Sequence, residues 1–255
     1  MHPFLERFFQ FFLPSQCLCC ESRLEERQER ICPDCISKIR WIAPPFCPIC
    51  GVPFVSTEVN CHPCGACVTK RKYFTMARAL GHYEGPLQEA IHRWKYEGKI
   101  GLSPIFGEWM AERLLHYWDP QSFDLILPVP LHKQRLRERG FNQALLLVRE
   151  LSHRTGIPYR MNVLQKKRPT LPQVQLSGAE RERGVRKSFH ILNREELEGK
   201  TILLVDDVYT TGATVNECSK VLMAAGAARI DVFTLTHAVK ISKRSELGSS
   251  EKKMI

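Results

Sequence analysis

The stretch Ile202-Leu203-Leu204-Val205-Asp206-Asp207-Val208-Tyr209-Thr210-Thr211-Gly212-Ala213-Thr214 limits the fold of this chain more than any other. Its apolar run is short and unbroken, which fits a strand buried on both faces of a parallel sheet. Two adjacent carboxylates end the run, and a turn of small hydroxyl residues with one glycine follows. Val215 to Ala225 then places Val215, Cys218, Val221, Leu222 and Ala225 on one face of an amphipathic helix. Strand, loop and helix in this order aim a helix N-terminus past the sheet edge, an arrangement suited to an anion.

Each position has a chemical reading. Asp206 and Asp207 are expected where the strand leaves the sheet, the edge at which open α/β folds bind ligands. Adjacent carboxylates suit the cis hydroxyls of a ribose, or a magnesium ion held partly through water. Thr210, Thr211 and Thr214 supply hydroxyls, and Gly212 lets backbone N–H groups close on a phosphate. The loop has no Lys, which excludes a Walker A site. Leu204 to Thr214 resembles the phosphoribosyl-pyrophosphate (PRPP) motif of type I phosphoribosyltransferases. The resemblance implies that Asp206 and Asp207 bind the ribose hydroxyls of PRPP. It implies that Thr210, Thr211, Gly212, Ala213 and Thr214 hold its 5′-phosphate, with magnesium accompanying the ligand.

The first 72 residues obey a different rule. Cys17-x-x-Cys20, Cys32-x-x-Cys35, Cys47-x-x-Cys50 and Cys64-x-x-Cys67 each form a knuckle whose two thiolates can meet one tetrahedral ion. Eight cysteines make two four-cysteine sites, expected to hold structural zinc, since a closed shell of four thiolates leaves no open position for catalysis. Sequential pairing is the expectation, and the spacing leaves interleaved pairing open. Cys61 could replace Cys64 or Cys67, because Cys61-x-x-Cys64 also has knuckle spacing. So small and loop-rich a segment has little core of its own, and the metal would supply much of its folding energy. Ahead of it, Pro3 to Leu13 reads as a short aromatic amphipathic helix.

The net charge of +10 is uneven. Between Leu131 and Lys200 there are 16 Lys and Arg against 7 Glu. That excess marks a face for phosphate or nucleic acid, with Arg135, Arg137, Arg139, Lys166, Lys167, Arg168, Arg181, Arg183, Arg186 and Lys187 as candidate contacts. No apolar run is long enough to span a bilayer, and the start lacks a signal peptide's basic, apolar and small-residue regions. A cytoplasmic protein without stable membrane insertion is expected, in which cysteines serve metals rather than disulfides.

The middle of the chain alternates. Val68 to Phe74 is basic and polar and reads as a boundary. Met76 to Tyr83 reads as a strand, and Leu87 to Tyr96 and Leu102 to Tyr117 as helices. Leu125 to Pro128 is a second buried strand, followed by Val129, Pro130, Leu131 and His132. Next come Lys133, Arg135, Arg137 and Arg139, read as a flexible basic loop, and Gly140 turning into a helix over Ala144 to Leu151.

Gly81 to Leu87, Trp94-Lys95-Tyr96, the run from Val129 to Gln143, and Arg168 to Phe189 together resemble the competence protein ComF family. The family usually carries Asn where this chain has Gly184. The resemblance runs from Cys17 to about His237. It implies that Val129, Pro130, Leu131 and His132 meet the pyrophosphate of PRPP through backbone N–H groups, assisted by Lys133, Arg135 and Arg139. It also implies a part in natural transformation, with single-stranded DNA, an uptake helicase and other competence proteins as partners.

The expected architecture is therefore an α/β, type I phosphoribosyltransferase-like parallel sheet flanked by helices over residues 73–240. A small Cys-rich zinc-binding module over 1–72 precedes it, and a polar, disordered tail over 241–255 follows. The expected function is a ComF-type protein that helps bring imported single-stranded DNA into the cytoplasm and carries a PRPP site. The alternatives are an active phosphoribosyltransferase with an unknown acceptor and a PRPP sensor without turnover.

Overall fold

The computed structural model describes residues 16–24, 30–54, 62–167, 184–185 and 187–238. The expected helix over 3–13, Cys61, the basic positions Arg168, Arg181, Arg183 and Arg186, and the tail over 241–255 lie outside them.

Four parallel strands build the main sheet: β1 (Met76–His82), β2 (Leu125–Pro128), β5 (Thr201–Tyr209) and β6 (Arg229–His237). Their spatial order is β1-β6-β5-β2, so the first and last strands of the sheet in sequence are neighbours in space. Helices fill the crossovers that parallel pairing requires. They are α3 (Gly85–Tyr96), α4 (Ser103–Tyr117), α6 (Gln143–Thr155) and α7 (Ala213–Ala224). A separate antiparallel hairpin pairs β3 (Leu164–Lys166) with β4 (Phe189–Ile191) and packs on α7.

Side chains alternate across the sheet, so each strand feeds two cores. Leu203, Val205, Phe233, Leu235, Ile126 and Leu80 join Trp94, Phe106, Met110 and Leu147 on one face. Ile202, Leu204, Ile230, Val232, Leu125 and Leu127 join Val215, Cys218 and Leu222 of α7 on the other. Both faces are covered, which is why these strands read as continuous apolar runs rather than alternating ones.

The cysteine-rich segment, with short helices α1 (Pro33–Ser37) and α2 (Gly65–Thr69), packs directly onto this sheet. Cys17, Cys19, Cys35, Ile31 and Ile39 belong to the first core, and Cys47 and Cys50 to the second. Residues 40–42 add to the free edge of β1: the Ile42 N–H donates to Leu80 O (2.8 Å) and the His82 N–H to Arg40 O (2.9 Å). Further along, the Ala77 N–H donates to Ile49 O (2.7 Å). An open edge strand is thereby closed to strangers. Cys19, a spare by spacing, is buried and its thiol donates to Pro86 O at the start of α3 (3.1 Å).

Two expectations need correction. β5 does not stop at the acidic pair: it runs on to Tyr209 while still paired with β6. Its other neighbour, β2, ends opposite Val205. The carboxylates therefore leave the sheet on one side only, held from behind by β6. The basic run after His132 is also no flexible loop but a helix, α5 (Lys133–Arg139). His132 Nδ1 caps it by accepting the Gln134 N–H (3.3 Å), and Gln134 donates to Glu138 one turn on (3.0 Å). Gly140, at φ +80°, ends it in the left-handed conformation that glycine tolerates. Arg, Gln, Leu and Glu are all good helix formers, which decides the local conformation.

Candidate functional site

At the C-terminal edge of the sheet, Asp206 and Asp207 emerge part-buried between the end of β2 and the N-terminus of α7. The Asp207 N–H donates to Asp206 Oδ1 (2.9 Å). Asp207 Oδ2 meets Lys95 Nζ at 2.7 Å, an ion pair whose side chains are only 15% and 12% exposed. Burial pushes the Asp206 carboxyl up to about 7, and the Asp207 charge beside it adds to the rise. Lys95 and Lys166 oppose that rise without cancelling it. The Tyr83 phenol, next to Lys95, Asp207 and Tyr96, is raised as well, chiefly by burial.

Lys95 was not among the residues the sequence marked as functional. Its signal was present: a lone cation on the same helical face as Leu87, Ile91 and Trp94 requires a buried partner. Successive helical residues fan out by about 100°, and the triplet Trp94-Lys95-Tyr96 spends the three directions differently. Trp94 is fully buried and its indole N–H donates to Ser103 Oγ (2.9 Å). Lys95 reaches the acidic pair. Tyr96 meets α5, where the Arg139 guanidinium lies over its ring at 4.9 Å and donates to its hydroxyl (3.1 Å).

The loop after β5 is built for close approach. Gly212 sits at φ +73°, and a Cβ there would collide with the Tyr209 ring. Tyr209 itself is buried, stacks on His237 at 4.6 Å, and packs with Cys47, Cys50, Cys64 and Cys67. The second cysteine cluster thus braces the floor of the loop. Thr211 Oγ1 accepts the Ala213 N–H (3.3 Å), and α7 begins at Ala213 without a side-chain cap from Gly212. Thr210, Thr211, Gly212, Ala213 and Thr214 thus surround a helix N-terminus whose first-turn N–H groups have no intrahelical acceptor.

On the other side of the carboxylates, Val129, Pro130, Leu131 and His132 join β2 to α5. The Val129 N–H donates to Val205 O (2.9 Å) and its carbonyl accepts from Asn142 Nδ2 (3.1 Å). The same Asn142 caps α6 by accepting the Ala144 N–H (3.0 Å). Phe141 fills the edge of the first core.

The basic candidates do not share one open surface. Lys133 and Arg137 are exposed on α5. Arg135 is half-buried and pairs with Glu138 (3.4 Å). Arg139 turns back to Tyr96 and to Gln143 Oε1 (3.2 Å). Lys166 lies over the Phe189 ring at 5.4 Å, and burial lowers its pKa against the opposing pull of Cys218 and Asp206. It belongs to the wall beside the acidic pair. Lys167 and Lys187 are exposed next to it, the Lys187 N–H donating to Glu217 Oε1 (2.8 Å).

The eight cysteines divide sequentially. The ligand atoms of Cys17, Cys20, Cys32 and Cys35 lie within 4.8 Å of one another, and so do those of Cys47, Cys50, Cys64 and Cys67. Backbone N–H groups point at the sulfurs: Cys32 to Cys17 Sγ (3.3 Å) and Cys64 to Cys47 Sγ (3.3 Å). Such donors favour thiolates, so both clusters fit a tetrahedral soft cation.

Two family models match different parts of the chain. Residues 8–68 match the double zinc ribbon domain, and residues 138–254 the phosphoribosyl transferase domain. Competence protein F of Haemophilus influenzae is 30% identical over 238 residues, covering 91% of this chain and 99% of that protein. DNA utilization protein YhgH of Escherichia coli K12 is 29% identical over 226 residues, covering 88% and 97%. Competence protein ComFC of Bacillus subtilis is 30% identical over 237 residues, covering 86% and 93%. Among the described residues no helix is long and apolar enough to cross a membrane. With its double zinc ribbon joined to a phosphoribosyltransferase-like sheet, the chain belongs to the competence protein F (ComF) family.

Proposed function

We propose that this protein is a ComF-type DNA-handling protein of the cytoplasm that binds PRPP with magnesium at the C-terminal edge of its sheet and helps draw imported single-stranded DNA inward. The observation that carries the PRPP part is the placement of Asp206 and Asp207 beside the α7 N-terminus. Carboxylates accept from ribose hydroxyls, and free N–H groups at a helix N-terminus receive a phosphate. Thr210 to Thr214 hold the 5′-phosphate, and the backbone of Val129 to His132 faces the pyrophosphate, with Lys133, Arg135 and Lys166 near it. Magnesium neutralises the polyphosphate when bound. Lys95 occupies Asp207 until the ligand arrives. The names of the relatives support the DNA part: competence proteins in Haemophilus and Bacillus, a DNA utilization protein in Escherichia. The zinc ribbons, over 1–72, act as a structural brace that closes β1 and floors the phosphate loop of the 73–240 domain.

Calorimetric titration of zinc-loaded protein with PRPP and magnesium tests the site. Wild type binds, and Asp206→Ala/Asp207→Ala does not. A wild type that fails to bind sinks the PRPP reading and leaves DNA handling to stand alone. The intact phosphate loop favours a second reading, transfer of phosphoribose to an acceptor. Pyrophosphate release in the presence of candidate nitrogen nucleophiles separates that enzyme from a sensor that binds without turnover.

A further inference from the structure

A groove of about 490 Å³ opens at the opposite edge of the sheet, where β1 and β6 begin. That volume is in the range of small-ligand sites, ~300–1,000 Å³. Its walls come from the segment after the second zinc knuckle, from the outer turns of α7 and from the start of β6. Arg71, Lys72, Tyr73, Lys220, Met223 and Arg229 give it its character, and no acidic side chain stands among the described residues that line it.

The ring of Tyr73 is the centre of the arrangement. Arg71 lies 5.0 Å from its centroid and Lys220 Nζ 5.9 Å. The backbone that carries the ring is fixed. Asn216 Oδ1 accepts the Tyr73 N–H (2.8 Å), and Asn216 Nδ2 donates to Arg71 O (3.2 Å). Phe74 is buried behind it, and the Thr75 N–H donates to Ile230 O (2.8 Å). Arg229 is already neutralised by Asp231 (2.7 Å), which leaves Arg71, Lys72 and Lys220 to set the charge of the mouth.

A rigid half-exposed aromatic ring flanked by exposed cations is the recurring form of a single-strand platform. Bases stack on the ring whatever their identity, and the cations follow the phosphates. Duplex DNA offers no unstacked base to such a ring, whereas a single strand does. We propose that this groove is a binding site for single-stranded DNA, with a base stacked on Tyr73 and Arg71, Lys72 and Lys220 on the flanking phosphates. The inference rests on the DNA-handling reading above and gives it a location away from the PRPP edge. The base takes the place of the Arg71 guanidinium on the ring and frees that cation for phosphate. One helix, α7, serves both ends: its first turn faces the PRPP loop, and Asn216, Lys220 and Met223 face the groove.

Fluorescence anisotropy with labelled oligothymidylate tests the site on the full, zinc-loaded chain. The set is wild type, Tyr73→Ala, Tyr73→Phe, Lys220→Gln and, on the far edge, Arg137→Gln. Zinc content and the unfolding midpoint report that each variant is folded. Tyr73→Ala is expected to weaken binding by between about fivefold and about a hundredfold, and Tyr73→Phe to retain it. Lys220→Gln should reduce the slope of log affinity against log salt by about 0.7, one single-strand phosphate contact. If wild type binds and neither Tyr73→Ala nor Lys220→Gln changes affinity or slope, the groove is not the site and the DNA-handling reading survives. If only Arg137→Gln weakens binding, the strand runs over α5 and the proposal is overturned. If wild type does not bind the oligomer at all, the DNA reading fails and takes this inference with it.

Discussion

Replacing Asp206 by Asn should make the folded protein more stable above neutral pH, and the size of the gain follows from the site. Burial and the Asp207 charge raise the Asp206 carboxyl from 3.8 to about 7. The folded chain therefore holds this proton more tightly than the unfolded chain does. The stabilising contribution of the neutral acid is complete below about pH 4 and is lost as pH rises through about 7. At 1.36 kcal/mol per decade the gap amounts to roughly 4 kcal/mol, an upper bound. The coupling to Asp207 and the partial exposure of the site reduce it to about 2–4 kcal/mol. Asn keeps the shape of the neutral acid and its acceptor for the Asp207 N–H, and it never ionises. Urea unfolding of both proteins from pH 5 to 8.5 is the assay. The Asn variant should already lead by about 1.5 kcal/mol at pH 5, where the unfolded carboxyl is mostly ionised, and by about 2–4 kcal/mol at pH 8.5. It should also bind PRPP more weakly, since stability surrendered at a site is a common cost of function. Equal stability at pH 8.5, or a more stable wild type, would refute the claim that the acidic pair is a strained charge pair.

Three further outcomes are expected. Lys95→Met strips Asp207 of a nearly buried counterion, and should lower stability at neutral pH by about 3 kcal/mol in denaturant titrations. Gly212→Ala forces a side chain into a left-handed turn against Tyr209, and calorimetry should find PRPP binding lost while zinc content stays at two ions per chain. Cys47→Ser removes a fully buried ligand beneath the phosphate loop. Elemental analysis should find one zinc fewer, and the unfolding midpoint should fall further than for the exposed Cys20→Ser.

Much of the site could be read from the chain because its parts are local. The acidic pair, the threonine loop and the first turn of α7 are consecutive, so strand period, glycine and helix period fix their mutual geometry within a dozen residues. The cysteine knuckles are local too, since two thiolates three residues apart meet one ion whatever surrounds them. The basic run after His132 misled for the same reason. Charge density suggested a loop, yet the capping histidine, the Gln134–Glu138 pair and the helix-forming composition were all in view and outweighed it.

What the sequence determined by itself is the order of buried strands and amphipathic helices, the grouping of the cysteines into knuckles, and the run of carboxylates, hydroxyls and glycine that ends β5 and leads into α7. Only the tertiary structure decided that the knuckles pair sequentially, that β1 lies beside β6, that the two cysteine clusters pack on opposite faces of one sheet, and that Lys95 crosses to Asp207. It also decided that Lys166 joins the wall of the acidic pair while Arg139 turns away to Tyr96. These contacts join residues tens to more than a hundred positions apart. Local periodicity carries no information about which buried face meets which, and that choice is made when the cores of the whole sheet close at once.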